Sequence, residues 1–176
     1  MRLLLLLFFA IELMAISIDP LLLKAQASIF PKIMLLDSTI ANKTNDNKLV
    51  LSIVYANDEK ASAHKFKDMI DSEYGNSLGD LTFETRLTSL NEFDKKQDAA
   101  AYYVFDASSA KKKEIVSHAT KTQRICFGYN YKDFEENVLI SLFVKEKTYI
   151  YLNKSALYEY KIKFTPIFYR IAKVIE

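Results

Sequence analysis

The chain has 176 residues, with 24 Lys and Arg against 22 Asp and Glu and a formal charge of +2, so no concentrated basic surface recommends nucleic acid as a partner. Half of the residues are apolar and 13% are aromatic, the composition of a packed globule rather than of a disordered chain. Only three glycines occur, Gly75, Gly79 and Gly128; this excludes a Walker loop and a dinucleotide fingerprint, both of which need backbone to approach phosphate closely.

Residues 1–17 read as a secretory signal. Arg2 supplies the positive start, Leu3 to Ile11 form an unbroken apolar run, and Glu12 places a charge where a spanning helix would need more hydrocarbon. A span requires about 20 apolar residues, so cleavage near Ala15 to Ser17 is expected, with a short amphipathic anchor as the alternative. The mature chain, 18–176, is then exported to the periplasm and forms one domain.

Asp19-Pro20 opens the first helix: the aspartate can cap free N–H groups, and proline tolerates the first turn. That helix is expected to run toward Leu36, apolar on most sides, with Pro31 kinking or splitting it. A polar connection follows from Asp37 to Asn47. Lys48 to Tyr55 is almost continuously apolar, as befits an inner strand covered on both faces. Asp58 is a candidate cap for the next helix, on which Ala63, Phe66, Ile70 and Tyr74 recur at helical spacing before Gly75. Leu81 to Leu87 reads as a second strand, and Leu90 to Phe93 as a short helical turn.

Ala99 to Phe105 reads as a third strand closed by Asp106, with Ser108 available to cap a helix through Ala119. On that helix Lys111-Lys112-Lys113 is a short charge run, expected to be a solvated face. Arg124 to Tyr129 is a fourth strand. It contains the lone Cys126, which cannot form an internal disulfide and is expected to be a small buried group. Val138 to Lys145 and Thr148 to Leu152 form a hairpin across Glu146-Lys147. Within it Tyr149 and Tyr151 share one face, which is expected to be half-buried. Lys154 to Tyr160 is helical, and Thr165-Pro166 opens a final helix with Ile167, Phe168, Ile171, Val174 and Ile175 on one side.

Strands alternating with helices, then a hairpin and a helix, give an α/β fold: a single central mixed sheet flanked by helices on both faces. Chemical groups are sparse. His64 and His118 lie on different helices with only Cys126 to join them, no Ser sits in a Gly-x-Ser-x-Gly turn, and the pairs Asp68/Asp71 and Glu135/Glu136 resemble ordinary surface pairs. No catalytic, metal-binding or cofactor-binding residues are assigned, and the chain is expected not to be an enzyme.

The runs Asn137 to Val144, Lys147 to Ala156 and Lys161 to Val174 resemble the C-terminal half of the YfiR-like family of small periplasmic proteins. Leu49 to Tyr55 with Asn57-Asp58, and Ala101 to Asp106 with Ala107-Ser108-Ser109, fit the family's earlier strand-to-helix steps, so the resemblance covers about residues 20–176. The chain departs from the family in having no Trp, in lacking the paired cysteines of some relatives, and in placing Lys161 where a glycine usually precedes the last helix. The resemblance implies a non-enzymatic regulator that binds the periplasmic portion of an inner-membrane signalling protein, a diguanylate cyclase or sensor kinase. It also implies a homodimer. Leu22, Ile29, Phe30 and Ile33 of the first helix are the candidate partner-binding surface, the alternative being that all four pack under the sheet. The competing function is binding of a small solute at the carboxyl ends of the strands, in a cleft near Asn57, Asp58, Asp106 and Ser108.

Overall fold

The computed structural model describes residues 18–44, 46–96, 99–106 and 109–176; the expected signal, 1–17, lies outside them. Helix α1 spans Pro20–Met34, and the Asp19 carboxylate accepts from the Leu21 N–H at 2.8 Å, as its position before a proline predicts. Pro31 does not split the helix. An interior proline costs about 3 kcal/mol, whereas each fully buried large apolar side chain returns about 1.5–3 kcal/mol. Phe30, Ile33 and Met34, on either side of it, are all buried. Tertiary burial therefore outweighs the local defect.

The remaining elements are β1 (Lys48–Tyr55), α2 (Lys60–Tyr74), β2 (Ser77–Leu78), β3 (Leu81–Ser89), β4 (Ala101–Val104), α3 (Ala110–Lys121), β5 (Ile125–Gly128), β6 (Ile140–Val144), β7 (Thr148–Asn153), α4 (Lys154–Tyr160), α5 (Pro166–Ile171) and β8 (Ala172–Ile175). They form one eight-stranded mixed sheet in the order β2-β3-β1-β4-β5-β6-β7-β8. The five strands from β3 to β6 are parallel; β2 runs antiparallel to β3 and β7 to β6, and β8 is parallel to β7.

Tyr102 and Tyr103 show which helices cover which face, because consecutive strand residues point to opposite sides. Phe30 of α1 and Phe66 of α2 pack on Tyr103, at ring separations of 6.0 and 4.3 Å, while His118 of α3 meets Tyr102 at 5.8 Å. Helices α1 and α2 thus cover one face. The other carries α3 and also α4, whose Tyr160 lies beside Cys126, the cross-strand neighbour of Tyr102. The expected α/β sandwich is the fold observed.

Three local expectations fail. Asp58 does not cap α2: it lies in a 3₁₀ turn, Asn57–Glu59, and Glu59 occupies the position before the helix while accepting the Ala56 N–H at 2.7 Å. The cap of α3 is Ser109, which accepts from Lys112 N at 3.4 Å. The final helix stops at Ile171, and residues 172–175 pair with β7 as a parallel strand. Apolar residues at 167, 168, 171, 174 and 175 suit one helical face, but Val174 and Ile175 are β-branched and the outer edge of β7 is open to receive them.

The segment after α1 is less of a loop than its polarity suggested. The buried Lys43 ammonium binds the buried Asp37 carboxylate and the Gln123 carbonyl, and Asp37 also accepts from Thr39 N and Oγ1 at 2.9 and 2.8 Å. Burial is the leading cause of a lowered Lys43 pKa, opposed by Asp37. Among the described residues, no helix is long and apolar enough to cross a membrane.

Candidate functional site

The parallel strands reverse their order of filling between β1 and β4. From β1 the chain passes through α2 to β3 on one side, then crosses to β4 on the other side of β1. Such a switch point opens a crevice outside the carboxyl ends of the strands, where α/β domains commonly hold ligands. The solute-cleft residues fall here. Asn57 and Asp58 follow β1 and are exposed, and Asp106 follows β4 and is half-buried. Ser108 lies outside the described residues.

Beneath this edge runs a buried polar layer that the sequence did not disclose. The Lys112 ammonium donates to Glu59 Oε1 at 2.6 Å, with both side chains no more than 4% exposed. Lys112 had read as part of a solvated charge run. Its place in the first turn of α3 instead points it under the edge, toward the start of α2. A helical run of three lysines necessarily sends its members to different faces, which is the signal available in the sequence.

A second chain of bonds ties α1 to the same edge. The Tyr103 hydroxyl donates to Gln26 Oε1 at 2.8 Å, Gln26 Nε2 donates to the Tyr129 carbonyl at 2.7 Å, and the Asp19 N–H donates to the Tyr129 hydroxyl at 2.6 Å. Burial pushes the Tyr103 hydroxyl well above the usual phenol range. Gly128, at the carboxyl end of β5, lets the next turn close: a Cβ there would lie 2.9 Å from both Asp133 and Val138. Asp133 in turn accepts the Asn130 N–H at 3.0 Å. The donors and acceptors of this layer thus satisfy one another, as buried polar groups must to avoid about 1–3 kcal/mol each.

The candidate partner surface on α1 is redistributed. Phe30 and Ile33 are buried, with Phe30 stacked on Phe127 at 4.3 Å; Leu22 and Ile29 are half-buried and packed against the core. The four side chains do not form an open stripe, because α2 lies beside α1 and the sheet lies beneath it.

Exposed apolar area gathers elsewhere. Phe143 and Tyr149 are cross-strand neighbours and Tyr151 lies two residues along, so all three rings share the α3/α4 face of the sheet, half-exposed as the two-residue period predicted for the tyrosines. Phe143 and Tyr151 are 6.0 Å apart with planes inclined by 9°, and Tyr149 follows at 6.4 Å and 16°. Tyr131, from the turn after β5, stands edge-on to Phe143 and Tyr151 at 6.1 and 6.5 Å. The Lys173 ammonium lies 3.6 Å over the Tyr149 ring. Four aromatic rings, linked through Tyr151, thus form one continuous surface beside the α3/α4 layer.

Other candidate groups are placed as structural parts. His64 is exposed on α2 and His118 packs edge-on to Phe93 and Tyr102 on α3, on opposite faces of the sheet. Asp71 binds Lys67 and Thr85, and Glu136 binds Lys113 at 2.7 Å. Burial raises the Cys126 thiol pKa far above its ordinary value. Among the described residues, no group of three or more His, Cys, Asp or Glu is placed to hold a metal ion.

No family model matches the chain, and no curated protein matches it. Solved structures do. A conserved domain protein from Vibrio cholerae is similar over 88% of this chain and 60% of its own, at 10% identity and a TM-score of 0.59. An ABC domain from Streptococcus pneumoniae, determined in complex with L-Trp, is similar over 82% of this chain and 61% of its own, at 14% identity and a TM-score of 0.51. The chain spans about three fifths of each neighbour, and at these identities the likeness is one of fold.

Proposed function

We propose that this chain is an exported, non-enzymatic binding module that regulates by occupancy, docking on the periplasmic portion of an inner-membrane signalling protein, a diguanylate cyclase or sensor kinase, as its resemblance to the YfiR-like family implies. The observation that carries the reading is the surface of Tyr131, Phe143, Tyr149 and Tyr151. Tyrosine combines large apolar area with a polar tip and is enriched where partners bind most strongly. A module of this kind shifts its partner's activity by binding one conformation more tightly than the other. The self-satisfied polar layer at the carboxyl edge supports the same reading, since it spends its hydrogen bonds on the chain's own helices.

Capture of membrane proteins on immobilised chain tests it. Wild type retains one inner-membrane signalling protein, and Tyr149→Ala with Tyr151→Ala weakens capture about 30-fold, the effect of losing about 2 kcal/mol at a hot spot. Undiminished capture by the double variant, or retention of no such protein by wild type, refutes the proposal.

A second reading has its own support: the switch point between β1 and β4 carries Asn57, Asp58 and Asp106, and a neighbour in fold was determined with L-Trp bound. Under it, a small solute alone raises the melting temperature, and Asn57→Ala with Asp106→Ala abolishes the rise.

A further inference from the structure

The two edges of the sheet are built differently. At one, β2 is two residues long and lies between the positive-φ glycines Gly75 and Gly79, so it offers little backbone to a newcomer. At the other, β8 is the last of the described strands and pairs with β7 along its inner side. The surface around β8 is apolar and basic. Ile167 and Ile171 lie one turn apart on α5, 48% and 51% exposed, and Val174 in β8 is also 51% exposed. Residues 140–176 hold seven Lys and Arg against three Glu, an excess of four positive charges in a chain whose formal charge is +2. Glu159 accepts from Asn137 at 2.7 Å and Glu176 is paired with Lys154, whereas Arg170 and Lys173 stand exposed beside the edge. The Lys173 ammonium lies over the Tyr149 ring, on the face of the sheet, and leaves the backbone of β8 open.

We propose that the β8 edge takes up an extended segment of a partner protein, one with apolar and acidic side chains in alternation, as a further strand of the sheet. The two-residue period sets that pattern. Lys173 is in register with Tyr151 and shares its α3/α4 face, so Val174 points to the other face. A strand laid along β8 sends its side chains alternately to the Val174 side and to the Lys173 side. Apolar residues suit the first and acidic residues the second, since like meets like across one face and opposite charges attract across the other. In additions of this kind the main-chain hydrogen bonds supply affinity and the alternate side chains supply selectivity. The basic excess draws an acidic segment toward this end of the molecule. It opposes the β8 edge of a second copy, which carries the same charge.

The inference does not depend on the signalling reading, and its test uses no membrane protein. The probe is a fluorescently labelled peptide of about ten residues, alternating Glu and Val, titrated with the full chain and followed by anisotropy. Saturable binding is expected, about tenfold or more tighter than for the matching Lys and Val peptide, or for the acidic peptide methylated at every amide nitrogen. Amide hydrogen exchange across residues 172–175 is expected to slow on binding. Arg170→Glu with Lys173→Glu is expected to reverse the preference between the acidic and basic peptides in a chain that still unfolds cooperatively. Lys24→Glu with Lys65→Glu, at exposed positions on α1 and α2, is expected to leave it in place. No saturable binding, equal binding of the two peptides, protection confined to residues outside 172–175, or an edge filled by a second copy that the acidic peptide does not displace would overturn it.

Discussion

Lys112 and Glu59 show how one residue's environment can reverse the meaning of its type. On the surface such an ion pair is worth about 0–1 kcal/mol. Here both groups are out of water, and the Glu59 carboxylate is completed by the Ala56 N–H. Removing one partner of a buried pair strands the other charge, so Lys112→Met is expected to cost about 3–5 kcal/mol in urea unfolding. Adding Glu59→Gln to it should recover most of that loss. A single-variant cost below about 1 kcal/mol would mean that water reaches the pair and that the layer under the carboxyl edge is open.

At the scale of elements, the ends of helices carry information that strand and helix periods do not. Lys161, which closes α4, sits at φ 54°, in the left-handed region. A residue with a Cβ pays about 1–2 kcal/mol to stand there, and glycine does not. Lys161→Gly is expected to stabilise the fold by about 0.5–1 kcal/mol, the gain in the folded state being partly offset by a freer unfolded chain. No change or a loss on thermal unfolding would show that the lysine side chain supplies something a cap does not. Asn153, just before α4, binds the element to the sheet: it accepts from Ala156 N at 3.1 Å and donates to the Phe134 and Val138 carbonyls at 3.0 and 3.1 Å.

For the molecule as a whole, Cys126 is a built-in reporter. It lies in β5 near the middle of the sheet, fully buried, with its thiol pKa raised first by burial and second by the nearby Asp133 charge. The reactive form is the thiolate, so a native thiol held high and dry is inert. In the native state at pH 8, labelling by a thiol reagent is expected to proceed only through global opening, with the same denaturant dependence as unfolding measured by circular dichroism. Faster labelling would reveal partial opening of the α4 layer over β5. Cooperative unfolding is expected of the sheet, because its parallel core is covered on both faces and a strand that leaves it exposes the helices that cover it.

The sequence by itself determined the elements whose signals are local. The branched run Lys48 to Tyr55, the tyrosine face of β7, the Asp19 cap and the proline starts of α1 and α5 depend on bonds and periods within a few residues, and these lie where the residues said. What only the tertiary structure decided depends on which distant groups meet. Val174 and Ile175 suit a helix or a strand equally well until the open edge of β7 is beside them. Phe30 and Ile33 could face a partner until the sheet covers them, and Lys112 could face water until Glu59 arrives from the far end of β1. Periodicity reports which face of an element is apolar. It does not report what lies against that face, because that is set by chain crossings and strand order over separations of tens of residues.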